Sequence, residues 1–599
     1  MANAKSPTIH PAYEEIIRPY LDKPTDLMQL LWRIQEKYNH ISATAIESVA
    51  TALNLTRNHV EGVARFYSFF HDTSRGQYDI KFSHNIIELM QGKAELMDAL
   101  MQKLGVELGK PRADGRVTVD NTSCIGMSDQ GPALLVNGYT ITRLTPARVD
   151  MIVELIEGQV PLSQWPSEFF TVQDNIQHKF MLLGEYFEPG MALRQALKKG
   201  VEGTLAEIEQ AGLRGCGGAG FPTGRKWKFC RETLADERYV ICNADEGEPG
   251  TFKDRVLMQS YADLMFEGMT LCGYVIGAKK GFLYLRGEYR YLLESLEKTL
   301  QKRRTQGLLG RHILGDPNFS FDIEIHLGAG AYICGAELAL IESLQGYRGV
   351  PQKRPPPFPV TAGYLNKPTV VNNVETFSLA SKILVDGAKR FASIGTEQSK
   401  GTKLLSVSGD CERPGIYEFP FGITIREVLA ACGAYDTQAV QNAGPAGRCV
   451  SEAEFDRRLC FEDLNTTGSF MIFNRQRDLL EMVRNFAQFF VHESCGFCTP
   501  CRVGTSLIEN LLDKAQRGNA SKEDLKELNN LSRLIRANSH CAFGWTATHY
   551  VTDTLEKFPQ IYESRLQQNE STLLPSFDLD AALEKARQIT QRTDKNAHF

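Results

Sequence analysis

Three cysteines fall close together in Ser494-Cys495-Gly496-Phe497-Cys498-Thr499-Pro500-Cys501-Arg502. Thiols separated by two residues converge on one corner of a metal centre, so a fourth ligand must come from elsewhere. Cys541 is the only cysteine after Cys501, on a helical hairpin pattern that can return to the loop. Four thiolates in this arrangement suit a [4Fe–4S] cluster. Zinc also takes four cysteines, but a structural zinc site more often pairs two CxxC knuckles. His492 and His540 flank the cysteines and read as packing or hydrogen-bonding residues, since four thiols suffice. Cys216, Cys230, Cys242, Cys272 and Cys334 lie among apolar or glycine-rich residues and read as small buried hydrophobes.

A second constellation is glycine-rich. Leu213-Arg214-Gly215-Cys216-Gly217-Gly218-Ala219-Gly220 contains GxGxxG at Gly215, Gly217 and Gly220. The residues before it (VEGTLAEIEQAGLRG) have a helical pattern, whereas a dinucleotide fold requires a strand there, so the Rossmann reading fails. Glycines still let backbone N–H groups approach a phosphate, and Arg225 and Lys226 follow with charge. Downstream, Asn243-Ala244-Asp245-Glu246-Gly247-Glu248 follows the strand Tyr239-Val240-Ile241. Asn and Asp at a strand end can bond hydroxyls or ring heteroatoms of a ligand; a solvated acidic turn is the plainer alternative. Gly328-Ala329-Gly330-Ala331-Tyr332-Ile333-Cys334-Gly335-Ala336-Glu337 and Val370-Val371-Asn372-Asn373-Val374-Glu375-Thr376 add two more such segments. Alone each is a turn; four in one domain, upstream of a cluster loop, shift the balance toward a ligand role.

These residues need elements to hold them. The chain has 599 residues, enough for several domains, with 42% hydrophobic and 23% charged residues, a soluble globular balance. A net charge of −5 leaves no basic excess for nucleic acid. The N-terminus has no apolar signal segment. The most apolar stretch, Leu271–Leu285, is too short and too polar to span a bilayer. A cytoplasmic, reducing compartment is therefore expected.

Residues 11–72 have helical periodicity, with Leu27, Leu30, Leu31 and Ile34 on one face. Tyr78–Phe82 alternates like a strand, Ile86–Leu104 reads as one helix, and Asn137-Gly138 reads as a hairpin turn. Residues 158–180 lack periodicity and read as a linker. Residues 181–400 are α/β, 401–465 small and β-rich, 466–560 helical, and 561–599 an amphipathic or frayed tail.

The motifs RGxGGAGFPTG-x-KW, CNADEGEPGTFKDR, GAGAYICG, VVNNVETF and ESCGFCTPCRVG resemble the NADH-oxidising flavoprotein subunit of respiratory complex I, from about Phe180 to about Phe558. Residues 11–157 resemble the small thioredoxin-like partner subunit of the same module. The fusion resembles the diaphorase alpha subunits of NAD-reducing nickel–iron hydrogenases. The resemblance implies a multidomain α/β fold. Residues 1–74 would be a helical subdomain and 75–157 a thioredoxin-like domain. The FMN- and NADH-binding domain would span 181–400, a ubiquitin-like β-grasp (SLBB) domain 401–465, and a helical cluster-bearing bundle 466–560.

By the same resemblance, Gly215, Gly217, Lys226, Asn243, Asp245, Gly335, Asn372, Asn373 and Thr376 would hold FMN, with Tyr332 also in the cofactor site. Glu246, Glu248 and Glu337 would face the nicotinamide and its ribose, and Phe221, Phe229 and Phe358 the adenine end. Cys495, Cys498, Cys501 and Cys541 fall on the ligands of one [4Fe–4S] cluster. Implied partners are an iron–sulfur diaphorase subunit of ferredoxin-like type and a nickel–iron hydrogenase heterodimer. A formate dehydrogenase or complex I partner remains the alternative, and a non-enzymatic scaffold the competing class.

The sequence departs from the family pattern in places. Cys216 stands where the family has Arg, Ala336 stands where it has a Glu, and Arg354 is shifted by one position. In the thioredoxin-like domain, Ser83-His84-Asn85-Ile86-Ile87-Glu88 has no cysteine, and Ser128 follows Cys124 where a second thiol is usual. The expectation is a domain that keeps its fold and has no [2Fe–2S] cluster.

Overall fold

The computed structural model describes residues 9–351, 355–567 and 579–590; Arg354 and most of the tail lie outside the described residues. Four helices open the chain, at Pro11–Ile17, Leu27–Tyr38, Ala43–Ala52 and Arg57–Ala64. Leu27–Tyr38 buries Leu27, Leu30, Leu31 and Ile34, the face its periodicity marked, and stops at Asn39 in the left-handed region. Ser42 and Thr56 accept backbone N–H groups as N-caps of the next two helices.

A mixed sheet follows: β1 (Tyr78–Ser83), β2 (Val117–Thr122), β3 (Leu134–Val136) and β4 (Tyr139–Ile141), in the order β2-β1-β3-β4. Asn137 and Gly138 both have positive φ, 49° and 82°, as a tight hairpin between right-twisted strands requires. The single helix expected over Ile86–Leu104 is two helices, Ile86–Met90 and Lys93–Leu104, broken at Gly92 with φ 84°. The expected linker also differs. Trp165 and Phe169 are buried in this domain's core beside Tyr78. Ile176–His178 forms β5, an edge strand of a distant sheet. Periodicity misses both because the anchors are isolated aromatics and the strand has three residues.

The central domain holds β6 (Tyr239–Ala244), β7 (Lys280–Leu285), β8 (Asp322–Leu327) and β9 (Thr369–Asn373), all parallel, in the order β8-β7-β6-β9. The chain steps outward from β6 to β8 and then returns to β9 on the opposite flank of β6. That reversal opens a crevice beyond the carboxyl ends of β6 and β9, where open α/β sheets bind ligands. Helices Met191–Ala211, Ala262–Ile276 and Val374–Asp386 pack on one another, and the middle one is buried almost all round. A Cβ on Gly268 would collide with the Phe377 carbonyl, so glycine sets how closely two of these helices approach.

A six-stranded sheet comes next: β10 (Thr402–Gly409), β11 (Gly415–Pro420), β12 (Thr437–Asn442), β13 (Arg448–Ser451) and β14 (Ser469–Asn474), with order β13-β12-β14-β10-β11-β5. Helix Ile425–Cys432, started by a Thr424–Glu427 capping box, packs on it. The expected boundary at 465 is corrected: β14 lies in the middle of this sheet, parallel to β10 and antiparallel to β12. The helical domain starts at Leu479 instead. Its helices are Leu479–Glu493, Thr499–Gln516, Lys522–Asn538, Ala542–Thr546 and His549–Lys557.

Buried polar pairs join the domains. The Arg255 guanidinium, fully buried, donates to both Asp129 carboxylate oxygens (3.1 and 3.0 Å) and to Gln173 O (2.7 Å). Among the described residues no helix is long and apolar enough to cross a membrane.

Candidate functional site

The crevice at the strand ends gathers most of the expected residues. Asn243 and Asn373 are register partners on β6 and β9. Asn243 Nδ2 donates to Gly335 O at 2.8 Å, and Asn372 Oδ1 accepts from the buried Trp227 indole at 3.0 Å. Asn373 accepts from Lys253 Nζ and from Glu375 N, capping the helix Val374–Asp386. The glycine loop lies over this corner. A Cβ on Gly217 would meet Asn373 Cβ at 3.4 Å, and Thr376 Oγ1 accepts the Cys216 amide at 2.9 Å. Among the described residues the amides of Gly217, Gly218 and Ala219 find no acceptor. The loop turns at Gly220 (φ 61°), whose Cβ position is filled by the Phe461 ring. Asn465 Nδ2 holds Gly218 O at 2.7 Å, so the six-stranded domain fastens the loop from above. Lys226 donates to Val371 O at 2.9 Å and pairs with Glu337.

The three neighbouring acids differ. Asp245 is 4% exposed, and its Oδ2 has no partner among the described residues. Burial pushes its carboxyl well above the usual range. An orphaned buried oxygen 3.5 Å from the Cβ positions of Gly247 and Gly335 is what a bound polar cofactor would satisfy, so the residues fit FMN. Glu248 accepts from Ala446 N at 2.9 Å and from the Tyr332 hydroxyl, and burial raises it to about 7. Glu246 is the exception among the expected nicotinamide-facing acids. Its carboxylate accepts from Asp254 N (2.7 Å), Arg255 N (3.0 Å), Tyr289 OH (2.7 Å) and Thr251 Oγ1 (3.3 Å). It caps the helix Lys253–Ser260, so its oxygens are committed to the fold; burial raises it to about 6. Asp245, Gly247, Tyr332, Ser123, Arg286, Glu288 and Glu493 line one small space between three domains.

Phe221, Phe229 and Phe358 are 42%, 39% and 58% exposed. Phe229 lies on helix Thr223–Glu232, which packs against the short helix following Phe358. Cys216 is a buried thiol that burial raises to about 12, so it brings no charge to the loop. Ala336 caps the helix Glu337–Leu344 through its backbone alone.

All four cysteines line one space with Pro351, Ser494, Phe497, His540 and Phe543. Cys495 and Cys498 lie between two helices, Cys501 in the first turn of the second, and Cys541 just before Ala542–Thr546. Four thiols on one space are the donor set that a [4Fe–4S] cluster takes, one thiolate on each iron, so the residues fit that group. His540 packs edge-on against Phe497, ring centroids 5.0 Å apart, consistent with a packing role. The two sites are neighbours: Tyr332 of the crevice packs on Phe543 of the cysteine wall, ring centroids 5.7 Å apart.

Several residues have no sequence signal. Glu493 accepts from Tyr332 N at 2.9 Å and from Ser123, tying three domains at the polar space. Its position just before the cysteine loop is the only available clue. In the thioredoxin-like domain, buried Cys124 and Ser128 lie with sulfur and oxygen 3.9 Å apart, and Arg286 holds Cys124 O at 2.7 Å. His84 faces Lys93 Nζ at 3.4 Å; burial lowers it to about 4.

Comparison with known proteins gives three family matches. Residues 13–157 match the thioredoxin-like [2Fe-2S] ferredoxin family, 208–381 the Nuo51 FMN-binding domain, and 481–565 the NADH-ubiquinone oxidoreductase-F iron-sulfur binding region. The first match overturns the expectation that the N-terminal domain has no [2Fe–2S] cluster, since it places that domain among [2Fe-2S] ferredoxins. The chain is 45% identical to the NAD-reducing hydrogenase HoxS subunit alpha of Cupriavidus necator, over 95% of this chain and 96% of that one. It is 41% identical to an NADH-quinone oxidoreductase subunit of Aquifex aeolicus, over 65% of this chain and 92% of that one. A crystal structure of an NAD+-reducing [NiFe]-hydrogenase in the H2-reduced state superimposes with a TM-score of 0.89 at 41% identity, covering 96% of this chain and 98% of that chain.

Proposed function

The chain belongs to the family of the NAD-reducing hydrogenase alpha subunits, and from that premise we propose how its residues serve hydride exchange between NAD(H) and FMN and single-electron exchange between FMN and a [4Fe–4S] cluster. Bound FMN supplies the conversion between two-electron hydride chemistry and one-electron transfer, which neither NADH nor the cluster performs alone. The observation that carries the reading is the junction of the two sites, with the Tyr332 and Phe543 rings between the crevice and the cysteine wall.

Gly215, Gly217 and Lys226 bind the phosphate end. Asn243, Asp245, Asn372, Asn373 and Thr376 orient the ring and its hydroxyls. Glu248 and Glu337 accept hydroxyls of NADH, and Phe221, Phe229 and Phe358 stack at the adenine end. Tyr332 and Gly335 shape the nicotinamide side. No nucleophile is needed, so these groups act by positioning. Cys495, Cys498, Cys501 and Cys541 hold the cluster.

The sheet around β10–β14, with one helix on it, supports reading that domain as the ubiquitin-like β-grasp (SLBB) unit, and the helices after Leu479 as the cluster-bearing bundle. Phe497, Val503, Leu507, Leu534 and Trp545 are exposed on that bundle. Apolar surface beside a cluster suits docking of an electron-transferring subunit. The partners proposed are a ferredoxin-like iron–sulfur diaphorase subunit and a nickel–iron hydrogenase, in the cytoplasm. The hydrogenase reading is favoured because the match to a hydrogenase subunit spans both halves of the chain, whereas the match to the quinone oxidoreductase covers 65%.

The test is Cys541→Ser. The variant should lose the cluster iron and the reduction of partner subunits while NADH still bleaches the flavin. Loss of bleaching in folded protein would refute the serial order. Colourless wild-type protein holding zinc would refute the redox reading altogether.

A further inference from the structure

The loop that leaves β8 carries Tyr332, and its backbone is bonded almost residue by residue from the helix Leu27–Tyr38 and the turn that follows Arg57–Ala64. Gln29 pairs with Leu327 in both directions, donating to its O at 3.0 Å and accepting from its N at 3.3 Å. The Trp32 indole donates to Gly328 O at 3.1 Å. The Phe69 amide donates to Ala329 O at 3.0 Å. Ser68 donates to Gly330 O through both its amide (3.1 Å) and its hydroxyl (2.9 Å). Gly330 has φ 77°, and its Cβ position is filled by Ser68 and Phe69, so the loop is moulded on this segment. Trp32 is held edge-on against Phe69 and Phe70, with centroids 6.3 and 5.3 Å away, which aims its N–H. Two residues further on, Tyr332 gives its amide to Glu493 and its hydroxyl to Glu248.

We propose that Gln29, Trp32 and Ser68 are positioning residues for the nicotinamide side of the site, acting through the Leu327–Gly330 backbone to set Tyr332 against Glu248. The proposal rests on the reading of that crevice as the NAD(H) site. Residues behind the loop, outside the crevice itself, would then govern dinucleotide affinity.

Trp32→Phe keeps an aromatic ring in the cluster and removes the donor to Gly328 O together with part of the indole's volume. In the assembled holoenzyme it should raise the NADH KM and the NAD+ dissociation constant about 2- to 10-fold, with kcat nearly unchanged, as expected for one hydrogen bond. The 328–335 peptide should exchange its amide hydrogens faster. Ser68→Ala should act in the same direction and serves if Trp32→Phe does not fold. The decisive arm is the pair with Tyr332→Phe: Trp32→Phe should add little once the Tyr332 hydroxyl is gone. An equal effect in both backgrounds, or unchanged KM and exchange in folded variants, overturns the proposal. A wild-type enzyme that NADH does not bleach overturns the site reading instead.

Discussion

Tyr332→Phe tests the electrostatics of the crevice directly. Glu248 is half-buried and sits at about 7 because desolvation outweighs the two donors that favour its carboxylate, Ala446 N and the Tyr332 hydroxyl. Removing the hydroxyl leaves the Ala446 amide at 2.9 Å as the remaining donor. A hydrogen bond to a charged group contributes about 1.5–3 kcal/mol, equivalent to about 1–2 pH units. Glu248 in the variant should therefore ionise at roughly pH 8–9. The carboxylate accepts NADH hydroxyls best when ionised, so its ionised fraction sets affinity. Near pH 7 the wild type is roughly half ionised and the variant about 1–10%, which raises the NADH KM roughly 5- to 50-fold. Above about pH 9.5 both are ionised and the difference closes. The assay is NADH-dependent dye reduction between about pH 6 and 10, with flavin retention measured in parallel. A KM profile that moves equally at every pH, or does not move, would refute the reasoning.

Asp129→Asn leaves the buried Arg255 guanidinium without its counter-charge; it should cost about 3–5 kcal/mol in denaturant unfolding, and an unchanged midpoint would contradict the role given to the pair. Gly268→Ala puts a methyl group against the Phe377 carbonyl and should cost about 2 kcal/mol or more, seen as a lowered melting temperature. Leu507→Asp together with Leu534→Asp charges the exposed face of the cluster-bearing helices; co-purification of partner subunits should fall while NADH still bleaches the flavin, and full retention of partners would remove that face from consideration.

The parts of the site that are legible in the sequence are those whose chemistry is local. Cys495, Cys498 and Cys501 declare themselves by spacing, and Cys541 is identified as the remaining cysteine downstream. Asn243, Asn372 and Asn373 stand out because amides directly after β-branched runs mark strand ends. Glu246 departs from its expected role for a physical reason. It follows Asp245, but its backbone takes φ 22° and turns the side chain onto the amides of Asp254 and Arg255. Contacts by Gln29, Trp32 and Ser68 are not legible because their partners are backbone carbonyls 298, 296 and 262 positions away, which carry no residue signature. β14 is legible as apolar sequence but not as a sheet member, since its neighbours β10 and β12 lie well upstream. β5 is too short to show alternation.

The segment expected to be a passive linker is sewn into both of its neighbours. Trp165 and Phe169 sit in the thioredoxin-like core, Gln173 and Asn175 bond the Arg255–Asp129 pair, and Ile176–His178 extends the six-stranded sheet. Its ends therefore confine two domains within a small volume, at an effective concentration on the order of millimolar or above. Two separate polypeptides would depend on the contact itself for association, and losing about 3 kcal/mol, a factor of roughly 150, would disperse them at cellular concentrations. In one chain the same loss only shifts an intramolecular equilibrium between docked and undocked domains. The interface is thus freed from any affinity requirement, and its residues can drift or be retuned for electron transfer without the flavin-bearing and thioredoxin-like parts separating.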